Sequence, residues 1–105
     1  MSGASEQLEK LIRRIVEVAH PLRIILFGSA ARGEINAESD LDLLVVMPDG
    51  THRRHTAQDI YEHLFGFPIP VDIMVATPTD LEKHKDTVGL IYRVILREGK
   101  PVYVA

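Results

Sequence analysis

The 105-residue sequence predicts an α+β fold, a small mixed β-sheet flanked by helices. Two patterns predict it. Apolar residues recur at helical spacing over residues 5–19, after residue 51 and over residues 88–97. Between these stretches lie short apolar runs bounded by Gly, Pro and Asp, which read as strands.

In chain order, Leu8, Leu11, Ile12, Ile15, Val16 and Ala19 make an amphipathic helix of residues 5–19. His20 is its end residue and Pro21 stops it. Residues 22–27 form the first strand. Residues 40–47 form the second, ended by Pro48-Asp49-Gly50. Thr51 can cap a second long helix with Ala57, Ile60, Tyr61 and Leu64 on its buried face. Gly66, Pro68 and Pro70 break it before a third strand that ends at Ala76. Thr77 or Thr79 starts a short helix near Asp80-Leu81. The last helix covers residues 88–97, with Leu90, Ile91, Val94 and Ile95 facing inward. Gly99-Lys100-Pro101 ends it and leads to a short strand at residues 102–104. No repeat, low-complexity tract or linker interrupts the pattern, so residues 1–105 read as one domain.

Composition narrows the function classes. Hydrophobic residues make up 46% and charged residues 26%, ordinary values for a globular chain. Net charge is −3, so no basic field exists to attract nucleic acid, and direct nucleic-acid binding is not expected. The absence of cysteine excludes disulfides and thiolate metal sites. No apolar run approaches membrane-spanning length and no signal-peptide pattern opens the chain, so a cytoplasmic protein is the simple expectation.

Residues 26–47, LFGSAARGEINAESDLDLLVVM, carry the chemistry. Gly28-Ser29 follows an apolar strand directly. Gly permits a sharp turn and close backbone approach, Ser is a favoured helix cap, and free N–H groups at a helix start bind phosphate. Side chains alternate across a strand, so Asp40 and Asp42 share one face while Leu41, Leu43 and Val45 share the other. Paired carboxylates repel unless a cation lies between them, and magnesium takes carboxylate, phosphate and water oxygens. Taken singly, Gly-Ser is an ordinary capped turn and Asp-x-Asp an ordinary strand start. Their order suits a nucleoside triphosphate held by its phosphates and a divalent metal.

Together these residues resemble the nucleotidyltransferase superfamily, which includes DNA polymerase beta, kanamycin nucleotidyltransferase and the tRNA CCA-adding enzymes. The wording is most similar to the minimal nucleotidyltransferases: GSxARGE appears as residues 28–34 and SDxDLLV as residues 39–45. The likeness is dense over residues 23–47 and looser elsewhere. It implies the polymerase beta-like palm fold and a third carboxylate on a later strand. Asp72, near the start of the third strand, is the candidate. The bland alternative is an exposed Asp at a strand start or one paired with an Arg.

The resemblance also implies a mechanism. Gly28 and Ser29 would hold the terminal phosphates of ATP, and Asp40 and Asp42 a magnesium ion. Asp72 with the other two would hold a second and help deprotonate an acceptor hydroxyl. Arg32, inside the motif, either touches phosphate or pairs with Glu34, Glu38 or Asp40. Minimal nucleotidyltransferases commonly pair with an all-helical toxin of the HEPN class, acting as antitoxin by transferring AMP to a toxin tyrosine. That is the partner the resemblance implies. The rivals are a contact-only antitoxin that binds nucleotide, and a transferase acting on a small molecule. A homo-oligomer is open too, through the first and last helices.

Other polar residues read as scaffold. His52 and His55 lie three apart, yet no carboxylate at suitable spacing completes a zinc site, so a solvated helix face is the reading. His63 and His84 have no evident partners. Arg53 and Arg54 read as a solvated helix start, against the alternatives of an acidic partner or a substrate phosphate.

Overall fold

The computed structural model describes residues 3–28, 31, 41–84 and 91–105, with the side chains of residues 3–5 and 91 excepted. Its elements run α1 (Gly3–Ala19), β1 (Arg23–Phe27), β2 (Leu41–Val46), α2 (Arg53–His63), β3 (Val71–Ala76), α3 (Pro78–His84), α4 (Ile91–Glu98) and β4 (Lys100–Val104). The strands form one sheet in the order β3-β2-β1-β4. β1 is antiparallel to both β2 and β4, whereas β2 and β3 are parallel. The sheet is therefore mixed and the architecture α+β, as the sequence predicts. Parallel neighbours need a crossover, and α2 supplies it between β2 and β3.

Alternation along β2 divides the molecule. Leu41, Leu43 and Val45 face one way and join Leu11 and Ile15 of α1 and Ile60 of α2 in the larger core. Leu44 and Val46 face the other way and pack with Ile25, Ala76, Leu81 of α3 and Ile95 of α4. Helices thus cover both faces of the sheet, which is why β2 reads as a nearly unbroken apolar run. Each such side chain contributes roughly 1.5–3 kcal/mol by leaving water. Asp42 lies on the second face, just beyond the apolar cover.

The helix ends follow local chemistry. His20 adopts φ 51 after α1 and its N–H still reaches the Val16 carbonyl at 3.0 Å. The left-handed residue and Pro21 end the helix as expected. α2 is capped by His52 rather than Thr51, since His52 Nδ1 accepts the His55 N–H at 3.1 Å. Thr51 instead closes the preceding turn, its N–H donating to the Pro48 carbonyl at 3.2 Å. At α3 the cap is Thr77. Its Oγ1 accepts the Asp80 N–H at 3.3 Å while Asp80 Oδ2 accepts the Thr77 N–H at 3.0 Å.

The last helix departs from its expected inner face. Ile95 is buried, but Val94 is 50% exposed. Adjacent helical residues point about 100° apart. α4 meets the sheet along a narrow stripe that ends at Gly99, where an added Cβ would run into the Ile25 side chain and stand 3.2 Å from the Leu26 carbonyl of β1. The inward placements expected for Leu90 and Ile91 lie outside the described side chains. No helix among the described residues is long and apolar enough to cross a membrane.

Candidate functional site

β1 runs out at Phe27, and Gly28 turns the chain at φ 74, a left-handed conformation that favours glycine. The Ala31 N–H donates to the Gly28 carbonyl at 3.2 Å, closing a tight turn over a buried Ala31. β2 begins opposite this turn. Its first residue, Leu41, donates its N–H to the Pro70 carbonyl at 3.0 Å, which locks the start of β2 to the approach of β3.

Asp42 then stands in register with Phe27 on one side and with Asp72 on the other. Residues in register on neighbouring strands share a face, and the strands are about 4.8 Å apart. The Asp42 and Asp72 carboxylates therefore emerge side by side. Gly28 abuts them. A Cβ there would overlap the Asp42 carboxylate, standing 3.3 Å from its Cγ. Asp42 is half-buried and Asp72 exposed. Exposure is also what an ordinary Asp at a strand start would show. The register with Asp42 distinguishes Asp72, and no burial penalty is needed to explain it.

Three of the six expected site residues are thus brought together: Gly28, Asp42 and Asp72. The other three, Ser29, Arg32 and Asp40, lie outside the described residues. Two hard oxygen donors on one open face suit magnesium, which takes one or two carboxylates and completes its shell with phosphate and water. No group of three metal-binding side chains converges among the described residues.

Arg53 and Arg54 belong to the other end of the sheet. Val46 lies four residues beyond Asp42, about 13 Å along the strand, and α2 starts past it. There Arg53 Nη1 meets Asp80 Oδ2 at 3.3 Å. Burial pushes the Asp80 carboxyl up. Hydrogen bonds from the Thr77 backbone and hydroxyl, with the charges of Arg53 and His84, outweigh that and hold it below its ordinary value. The nearby Asp49 carboxyl is lowered too, first by the Thr79 N–H, which donates to Oδ1 at 3.0 Å. These contacts tie the start of α2 and the turn before it to α3.

The histidines have structural partners. His52 caps α2 and meets the His55 ring edge-on, with centroids 6.1 Å apart. His63 Nδ1 lies 2.8 Å from the Asp59 carbonyl oxygen, and His84 stacks on Tyr92 at 6.0 Å. The sequence assigned His63 and His84 no partner; the His63 contact is a local one to the carbonyl four residues back, and the His84 stack joins α3 to α4. It also gave no sign that the Tyr61 hydroxyl accepts the Ile73 N–H at 2.8 Å, one residue past Asp72.

The nucleotidyltransferase domain family matches residues 6–100 of this chain. No curated protein sequence matches it. Among solved structures, a candidate minimal nucleotidyltransferase is similar at 26% identity and TM-score 0.60, over 93% of this chain and 90% of that one. A candidate nucleotidyltransferase from Sulfolobus solfataricus is similar at 19% identity and TM-score 0.61, over 96% and 80% respectively. A toxin–antitoxin with AMP-PNP is similar at 22% identity and TM-score 0.49, over 92% and 73%.

Proposed function

Because the chain belongs to the nucleotidyltransferase domain family, we propose that it transfers a nucleoside monophosphate, AMP from ATP, to an acceptor hydroxyl. The observation that carries this reading is the in-register pair of Asp42 and Asp72 beside the Gly28 turn. Simple nucleotide binding has no need of carboxylates arranged to repel each other.

Gly28 and Ser29 hold the terminal phosphates, the glycine by allowing close backbone approach and the serine by its hydroxyl. Asp40, Asp42 and Asp72 supply the oxygens that would hold two magnesium ions. When bound, these ions neutralise phosphate charge and stabilise both the attacking and the leaving oxygens. An Asp72 carboxylate oxygen takes the proton of the acceptor hydroxyl. The acceptor oxygen then bonds to the α-phosphorus, the bond from that phosphorus to the bridging oxygen breaks, and pyrophosphate leaves in line. The remaining task of the protein is positioning, which removes much of the entropic barrier.

The acceptor in this proposal is a tyrosine of a HEPN-type toxin, which the chain inactivates as its antitoxin in the cytoplasm. What supports that partner is the wording of residues 28–34 and 39–45, which resembles the antitoxin type. The test incubates the protein with magnesium, α-labelled ATP and a lysate of its own cells, with γ-labelled ATP and Asp42→Asn in parallel. Label passing from the α position alone to one protein band, and absent with the variant, supports the proposal. Label on a small molecule moves the acceptor. ATP binding without any transfer points to neutralisation by contact.

A further inference from the structure

Among the described residues β3 lies at the edge of the sheet, with β2 as its one strand neighbour. Met47 donates its N–H to Ala76 and Leu41 to Pro70, which turns the backbone groups of the even-numbered residues of β3 toward β2. Asp72 belongs to that set. Ile73 belongs to the other, and its N–H points off the free edge. Edge strands with unpaired N–H groups are held less firmly than inner strands. Here the edge is closed at one place by Tyr61, whose hydroxyl accepts the Ile73 N–H at 2.8 Å.

Tyr61 is well placed for this. It follows Ile60, which is fully buried and fixes α2 in the core, and is itself 44% exposed at the margin. A ring committed to packing alone would be better covered. We infer that Tyr61 is a positioning residue for Asp72: by clamping the free edge of β3 one residue away, it holds the Asp72 carboxylate beside Asp42. This inference rests on the proposed role of Asp72. β2 fixes the Asp72 backbone from one side, and Tyr61 fixes the next peptide from the other. Without the hydroxyl, the ladder to β2 alone holds the strand start, the outward peptide at Ile73 gains freedom, and the gap between the carboxylates is less sharply defined.

The test measures Mn²⁺ binding to the full chain by electron paramagnetic resonance, well below the unfolding temperature. Four proteins are compared: wild type, Tyr61→Phe, Asp72→Asn and Ile60→Val. Tyr61→Phe should weaken Mn²⁺ binding about tenfold, the low end for groups that orient metal ligands. It should also speed hydrogen exchange at the Ile73 amide. Ile60→Val lowers Tm from the same helix without touching the edge, and should bind Mn²⁺ as wild type does. If Tyr61→Phe binds normally while Asp72→Asn binds poorly, the positioning role is overturned and the Asp72 reading stands. Equal weakening in Tyr61→Phe and Ile60→Val overturns it too, by showing general loosening. Wild-type binding by Asp72→Asn overturns the Asp72 reading itself, and the inference with it.

Discussion

Asp42 and Asp72 face each other across the parallel β2–β3 pair, each the second residue of its strand. They lie 30 positions apart in sequence and are joined by the α2 crossover. Pairing of like charges in adjacent strands is unfavourable by itself. In the proposed reaction a cation and its anionic ligand offset that repulsion.

Neutralising either carboxylate should therefore separate activity from stability. Asp42→Asn and Asp72→Asn are expected to lower transfer by roughly 10³-fold, in the range seen when a group aimed at transition-state charge is lost. Asp72→Asn should keep its stability or gain up to about 1 kcal/mol, because a like-charge neighbour is removed. Labelled-ATP transfer and urea denaturation check both parts. Full activity in Asp42→Asn would sink the assignment of that residue.

Gly28→Ala should fail twice over. A left-handed backbone costs a non-glycine residue about 1–2 kcal/mol, and the new methyl overlaps the Asp42 carboxylate. Transfer should fall with stability. The second effect can be isolated, because the Asp42 Cβ itself stands at an ordinary 3.5 Å from the added methyl. In an Asp42→Ala background the clash disappears and only the backbone cost remains. A double-mutant cycle by chemical denaturation should give a coupling above about 0.5 kcal/mol. Strict additivity would mean that the two residues do not touch.

The sequence made the strands and their faces legible because periodicity and breakers report them directly. Leu41, Leu43 and Val45 fell on the face opposite Asp42, as alternation requires. Spacing singled out Gly28 and Asp42, which lie against each other. Asp72 could be nominated only through a family likeness, since pairing register across a crossover helix is a tertiary fact. The Tyr61–Ile73 and Arg53–Asp80 contacts were beyond reach for the same reason. His52 displaced Thr51 as a cap because an imidazole nitrogen can accept the N–H that a hydroxyl usually takes.

The Thr77–Asp80–Arg53 corner should matter for acid stability and not for transfer. The folded Asp80 pKa is lowered from 3.8. A lowered carboxylate contributes stability that is fully present above its unfolded pKa and is lost as pH falls through the folded value. Wild-type Tm should drop below about pH 4, more steeply than that of Asp80→Asn. Thr77→Ala, which removes the cap, should cost about 1 kcal/mol. Neither variant should alter transfer at neutral pH, since the corner lies at the opposite end of β2 and β3 from the carboxylate pair. An activity loss with normal stability would place Arg53 or Asp80 in the reaction after all.

Magnesium should stabilise the fold through the same pair that repels without it. A ligand bound only by the native state adds RT ln(1 + [L]/Kd), about 1.4 kcal/mol at ten times Kd. In a domain near 100 residues that raises Tm by on the order of 5–10 °C. The increment should survive a background of sodium chloride matched in ionic strength, because screening of exposed charges is already complete there. It should shrink sharply in Asp42→Asn and in Asp72→Asn, which lack a ligand but also lack the repulsion. Removing magnesium with chelator should return wild type to its lower Tm and leave both variants where they were. An equal rise in all three proteins would place the cation away from β2 and β3, and the carboxylate pair would then need another explanation.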